Sequence, residues 1–211
     1  MLFYYITDRA QFPGPEHRRR ELLIERIVQA GLAGVDYVQV REKDLPSREL
    51  EDLARVIVQK VREAGSATRI LINSRTDVAL AAGADGVHIR SNDVCPADMR
   101  RIWSAAGANS KPIIAVSCHT EPEVLAAQLV GADFVVFGPV FEKSGKSGIG
   151  LSELRAACKH GIPVLALGGV NFENSRSCLE AGAAGVAGIR LFQDGNLSAT
   201  LNQLREVSPT R

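Results

Sequence analysis

The sequence predicts an α/β chain folded as a single (β/α)8 barrel, and three observations carry that reading. A Gly-Ala-Asp type motif followed by a short apolar run occurs four times, at Gly34-Val35-Asp36, Gly83-Ala84-Asp85, Gly131-Ala132-Asp133 and Gly182-Ala183-Ala184. The copies recur roughly every 50 residues, a length that suits two βα units each. Four more strand-like runs lie between the copies, and segments of helical periodicity alternate with all eight. At 211 residues the chain matches one such barrel, so a single domain over residues 1–211 is expected.

The elements follow in order. Phe3 to Ile6 is the first strand, and Leu22, Leu23, Ile27, Val28 and Ala30 mark the apolar face of the first helix. The second strand is Tyr37 to Val40. Leu50, Leu53, Ala54, Ile57, Val58 and Val61 pattern the next helix, with Ser47 expected as its N-cap and Glu49, Glu51 and Asp52 as acids near its start. Arg69 to Ile72 and Gly86 to Ile89 are the third and fourth strands, and Pro112 to Val116 is the fifth. Val124, Leu125, Leu129 and Val130 mark a helix before the sixth strand, Phe134 to Phe137. Pro163 to Leu167 and Gly185 to Ile189 complete the count. Each repeated Gly is expected to end a helix in positive φ. Continuous apolar strands alternating with helices imply a parallel sheet covered on its outside. An open doubly wound sheet is the alternative; the missing G-x-G-x-x-G after the first strand and the fourfold recurrence favour the closed ring.

Composition narrows the function classes. The chain carries 25 Lys and Arg against 24 Asp and Glu, a net charge of +1, and 45% of its residues are hydrophobic. That excludes a disordered chain and lacks the charge footprint of a dedicated nucleic-acid binder. No secretory core and no apolar run of about 18 residues is present, so a cytoplasmic protein without membrane association is expected. Cys95, Cys118, Cys158 and Cys178 are too scattered for a zinc site or a disulfide framework and are expected as reduced thiols. A homodimer is the default oligomer to expect.

In a (β/α)8 barrel the chemistry sits at the carboxyl ends of the strands. There the sequence places Arg41, Glu42 and Lys43; Asn73, Ser74 and Arg75; Arg90 to Asp93; Ser117 and His119; Lys143, Ser144 and Lys146; Gly168 and Gly169; and Arg190. Arg41, Lys43 and Lys146 with Asn73 and Ser117 suit a phosphate or diphosphate. Gly168, Gly169 and Gly188 permit close backbone approach to a second anion, and equally serve tight turns. Asp93 is read either as a Mg2+ ligand or as a helix N-cap. His119 is read as a phosphate donor, a general acid/base or a packing residue, and His88 as core.

The blocks Tyr-Val-Gln-Val-Arg-Glu-Lys-Asp (37–44), Ile-Asn-Ser-Arg-Thr-Asp-Val-Ala-Leu (72–80), Gly-Ala-Asp-Gly-Val-His-Ile (83–89), Val-Ser-Cys-His-Thr (116–120), Phe-Gly-Pro-Val-Phe (137–141) and Leu-Gly-Gly-Val (167–170) together resemble the thiamine phosphate synthase family, which also contains thiazole tautomerases. The resemblance implies coupling of a hydroxymethylpyrimidine diphosphate to a thiazole phosphate with release of pyrophosphate, by departure of the diphosphate before the thiazole nitrogen attacks. It implies Lys146, Ser117 and His119 as catalytic residues and Gln39, Arg41, Lys43 and Asn73 as substrate contacts. Gly168, Gly169 and Gly188 would hold the thiazole phosphate and Asp93 a Mg2+ ion, while Arg190 is a further candidate substrate contact read from its place after the eighth strand. Three departures are visible: Ser74 stands where the family has Asp, the loop after Phe141 is shortened, and Arg90 and Arg190 replace the family's Gly and Ser. A thiazole tautomerase using His119, or a non-catalytic thiazole-phosphate binder, is the alternative implied.

Overall fold

Short runs of β-branched and aromatic residues, apolar on both faces, form eight parallel strands in a computed structural model that describes residues 1–108, 110–142 and 147–206. The strands are β1 (Leu2–Ile6), β2 (Tyr37–Val40), β3 (Arg69–Asn73), β4 (Gly86–Arg90), β5 (Ile113–Cys118), β6 (Phe134–Phe137), β7 (Val164–Ala166) and β8 (Gly185–Gly188). They pair in chain order and β8 returns to β1, with Phe3 opposite Val186, which closes the barrel and excludes an open sheet. The helices α1 (Glu16–Leu32), α2 (Ser47–Glu63), α3 (Thr76–Ala82), α4 (Pro96–Ala105), α5 (Glu121–Leu129), α6 (Leu151–Ala157), α7 (Phe172–Glu180), α8 (Arg190–Gln193) and α9 (Leu197–Glu206) pack outside it.

Two apolar layers result. One lies between strands and helices, where α2 buries its predicted face, Leu50, Leu53, Ala54, Ile57, Val58 and Val61. The other fills the barrel with Tyr4, Ile6, Leu71, Ala115, Phe134, Val136, Leu165 and Ala187. Tyr4 and Tyr37 both contact the Phe134 ring, with centroids 5.4 and 4.7 Å away. The lower barrel is thus plugged by aromatic rings, which leaves the upper end for ligands.

The repeated Asp has a function beyond marking a junction. Asp36, Asp85 and Asp133 each stand just before an even-numbered strand and accept the N–H of the preceding strand: from Phe3 at 2.7 Å, Ile70 at 2.8 Å and Ile114 at 2.7 Å. Each carboxylate latches two adjacent strands at the closed end of the barrel. The fourth copy carries Ala184 and lacks this latch. The repeated glycines Gly34, Gly83, Gly131 and Gly182 all take positive φ, as the αβ junction requires.

One start signal reads differently. Pro46 occupies the N-cap of α2 and Ser47 is the first helical residue, with no side-chain cap bond. The fixed φ of Pro46 sets the entry instead, and Glu49 remains in the first turn. Capping boxes close α5 through Thr120 and Glu123 and α7 through Asn171 and Asn174.

Candidate active site

The strand ends surround an open-mouthed cavity of about 950 Å³. Of the residues singled out in the sequence, Gln39, Arg41, Lys43, Asn73, Ser117, His119, Gly168, Gly169, Gly188 and Arg190 all line it, drawn from five different strand ends. Ser74, Arg75, His88 and Arg90 line it as well. Lys146, with Lys143 and Ser144, lies outside the described residues. Asp93 is not brought to the lining. Its Oδ1 accepts the N–H of Val94 at 2.9 Å, and Cys95 rather than Asp93 caps α4.

The β2 side of the mouth is cationic. Arg41, Lys43 and Arg90 make no ion pair among the described residues, whereas Arg75 is bound to Asp77 at 2.6 Å. Arg41 lowers the pKa of the Lys43 ammonium most strongly, followed by partial burial and then by Arg90. The three charges therefore share one region. Glu42 is the one carboxylate on the described lining, and Arg9 neutralises it from behind at 3.1 Å.

Neutral donors complete this side. Gln39 is buried at the end of β2, and its amide nitrogen donates to Asn73 Oδ1 at 3.0 Å. With its carbonyl engaged, Asn73 keeps its own NH2 group for a ligand. His88, placed in the core by the sequence reading, is buried but points into the barrel. It stacks on Tyr4 with ring centroids 5.6 Å apart, and its Nδ1 lies 2.8 Å from the Tyr4 hydroxyl. The same ring has Nε2 at 2.7 Å from Ser117 Oγ. Tyr4 is fully buried with no other partner for its proton among the described residues, so its O–H donates to Nδ1 and His88 Nε2–H donates to Ser117. Ser117 then has its own proton available for the cavity. Burial, reinforced by Arg41, holds the His88 pKa down at about 3, so the ring stays neutral.

On the β5–β8 side the geometry is backbone-led. Gly168 and Gly169 have φ of +93° and +66°. A Cβ on Gly168 would sit 2.5 Å from Pro139, and one on Gly169 2.8 Å from Phe141 Cβ, so both must be glycine for the turn itself. Neither N–H donates to backbone among the described residues, which leaves both for an anion. Gly188 lacks the positive φ, and its hydrogen faces Leu191 at the approach to Arg190. His119 is exposed, and its Nδ1 lies 2.5 Å from the Gly138 carbonyl oxygen. A carbonyl only accepts, so Nδ1 carries a proton, and Nε2 makes no hydrogen bond among the described residues.

A resident magnesium site does not fit these residues. Mg2+ takes one or two carboxylates plus substrate oxygens and waters. Here Ser74 offers a hydroxyl, Asp93 is off the lining, and no cluster of three His, Cys, Asp or Glu able to hold a metal exists among the described residues.

Cations on one side of the mouth and open amides on the other define a (β/α)8-barrel enzyme that handles phosphorylated small molecules. The family model described as thiamine monophosphate synthase matches residues 3–192. A Geobacter sulfurreducens protein named "Putative thiamine-phosphate synthase" is 45% identical over 87% of this chain and 83% of its own. The thiamine-phosphate synthase of Moorella thermoacetica is 35% identical over 86% of both chains. The solved thiamine phosphate pyrophosphorylase of Pyrococcus furiosus superposes with a TM-score of 0.80 at 30% identity, covering 98% of this chain and 94% of that one. The chain belongs to the thiamine monophosphate synthase family, a family of transferases in thiamine biosynthesis. Among the described residues no helix is long and apolar enough to cross a membrane.

Proposed function

We propose that this chain joins a hydroxymethylpyrimidine diphosphate to a thiazole phosphate, giving thiamine phosphate and pyrophosphate. The observation that carries the reading is the two-sided mouth: Arg41, Lys43 and Arg90, without an ion pair among the described residues, line one cavity together with the open Gly168–Gly169 turn and Arg190. Two phosphorylated substrates need two such subsites. The bond from the pyrimidine methylene to oxygen breaks with its electron pair leaving on the diphosphate. The thiazole nitrogen lone pair then forms the new carbon–nitrogen bond, with no change of oxidation state. The barrier lies in stabilising the departing negative charge, and preorganised cations and N–H donors at the mouth do this without a strong base.

In this reading Arg41, Lys43 and Arg90 neutralise the diphosphate, while Asn73 NH2 and the Ser117 hydroxyl donate to its oxygens. Lys146 is proposed as a further cation on the same group. The glycine amides and Arg190 hold the thiazole phosphate. Magnesium enters the proposal only as the counter-ion that accompanies the diphosphate, since the described residues offer no carboxylate pair at the mouth to hold it. We propose a cytoplasmic location and a homodimer.

His119 gives a second reading a specific footing, because its Nε2 is free on the lining as a base for thiazole tautomerisation. Incubation with both substrates separates the two. Thiamine phosphate and pyrophosphate in equal amounts support the synthase. Proton exchange on the thiazole carboxylate, abolished in His119→Ala and without coupled product, supports the tautomerase.

A further inference from the structure

A polar network runs between the two sides of the mouth, and of its members only Arg41 and Glu42 line the cavity. Its centre is the turn after β1, Thr7, Asp8 and Arg9. Thr7 is wholly buried and Arg9 is 5% exposed. On one side the Thr7 hydroxyl donates to Glu42 Oε1 at 2.5 Å and accepts the amide N–H of Arg41 at 2.9 Å. The Arg9 amide donates to Glu42 Oε2 at 3.0 Å and its Nη1 to the same oxygen at 3.1 Å. The Arg9 guanidinium also grips Asp44 with two bonds of 2.7 Å and Glu16 with a third. On the other side Gln193, the last residue of α8, donates to the Asp8 carbonyl at 2.8 Å. It accepts from the Asp8 amide at 3.3 Å and from the Tyr5 hydroxyl at 2.9 Å. Helix α8 begins at Arg190.

The bonds fall on the residues that carry the ligand-facing groups. Arg41 is held by its own amide, and Lys43 is flanked by two carboxylates that Arg9 binds. Arg9 spends its charge on acids and does not line the cavity, yet it removes the negative charge of Glu42, which does. An uncompensated Glu42 would repel an anionic ligand at close range.

We propose that the Thr7–Asp8–Arg9 turn is a positioning strut: it fixes the Arg41–Lys43 loop against α8, sets the span between the two anion subsites, and screens Glu42 from a bound diphosphate. The naming of the two anions rests on the function proposed above. Displacement by about an ångström in such a site costs up to about a hundredfold in rate. The strut acts through Arg41 and Lys43, so its loss weighs on the diphosphate more than on the thiazole phosphate.

The test uses the full chain and two readouts. In steady state, Arg9→Gln is expected to raise KM for the pyrimidine diphosphate about tenfold, leave KM for the thiazole phosphate within about twofold, and lower kcat. Arg9→Lys, which restores the charge without the fork, is expected to recover part of the KM effect. By calorimetry, inorganic pyrophosphate is expected to bind Arg9→Gln about tenfold more weakly than the native chain. If Arg9→Gln does not fold, Thr7→Val, which removes one hydroxyl, is expected to show the same selective effect. Equal changes in both KM values, or unchanged pyrophosphate binding in a folded variant, would overturn the strut. A native chain that makes no thiamine phosphate, but whose pyrophosphate affinity still falls in Arg9→Gln, contradicts the proposed function and leaves the strut standing.

Discussion

Mild acidification should weaken this protein through one buried residue. His88 is 3% exposed, lies between Tyr4 and Ser117, and has its pKa pressed from the ordinary 6.5 to about 3 by burial, with Arg41 adding to the effect. In the unfolded chain the same imidazole takes up a proton below about pH 6.5. Between the two values the unfolded state binds one proton more than the native state, so stability rises with pH and is lost as pH falls. From about pH 7.5 to about pH 5 this group alone costs roughly 2 kcal/mol, at about 1.4 kcal/mol per pH unit below the unfolded value. The assay is urea unfolding over that range for the native chain and for His88→Gln, which keeps a donor and an acceptor but does not titrate. The native chain is expected to lose about 2 kcal/mol more than the variant. The depressed carboxyls, among them Asp44 and Asp77, contribute mainly at lower pH and are common to both proteins. Identical pH dependence, or a His88 titration near 6.5 by NMR, would refute the reasoning.

Four further outcomes are expected. Ser74, the one non-glycine residue described with positive φ, sits at +54°, a conformation that Asp adopts more readily than most residues. Ser74→Asp should leave the fold intact, raise the coupling rate in magnesium and lower the magnesium concentration for half-maximal rate; a flat magnesium titration would contradict the reading of the rim. Arg41→Gln removes a charge-assisted contact worth about 1.5–3 kcal/mol, so kcat/KM for the diphosphate should fall about ten- to a hundredfold, while Arg190→Gln should raise KM for the thiazole phosphate instead. Steady-state kinetics with each substrate varied in turn will check both. Gly168→Ala combines a φ of +93° with a 2.5 Å approach to Pro139 and should cost about 2–4 kcal/mol in urea unfolding; a loss below about 0.5 kcal/mol would show that the turn relaxes.

The sequence carried the barrel because its signals are local. The Gly-Ala-Asp junctions and the apolar run on α2 each report a short stretch of chain, and eight such stretches suffice to count strands. Much of the cavity lining was legible for the same reason: a residue at or just past a strand end is at the mouth, and Arg41, Asn73, Ser117 and Arg190 all lie on the lining. His88 was not legible, since a parallel strand buried on both faces shows no alternation, and only closure of the barrel sets Tyr4 beside it. Asp93 shows the limit of position after a strand: three residues beyond β4 the loop has turned away. The Arg9 network is long-range, joining residues 7 to 9 with 42, 44 and 193, and no spacing in the chain announces it.

The direct measurement is product formation by the purified chain given hydroxymethylpyrimidine diphosphate and thiazole phosphate, with thiamine phosphate and pyrophosphate quantified together. The account predicts equal amounts of both products, and loss of both in Arg41→Gln at the substrate levels that saturate the native enzyme. Absence of both products from the native chain, with pyrophosphate failing to bind at the mouth, would contradict it.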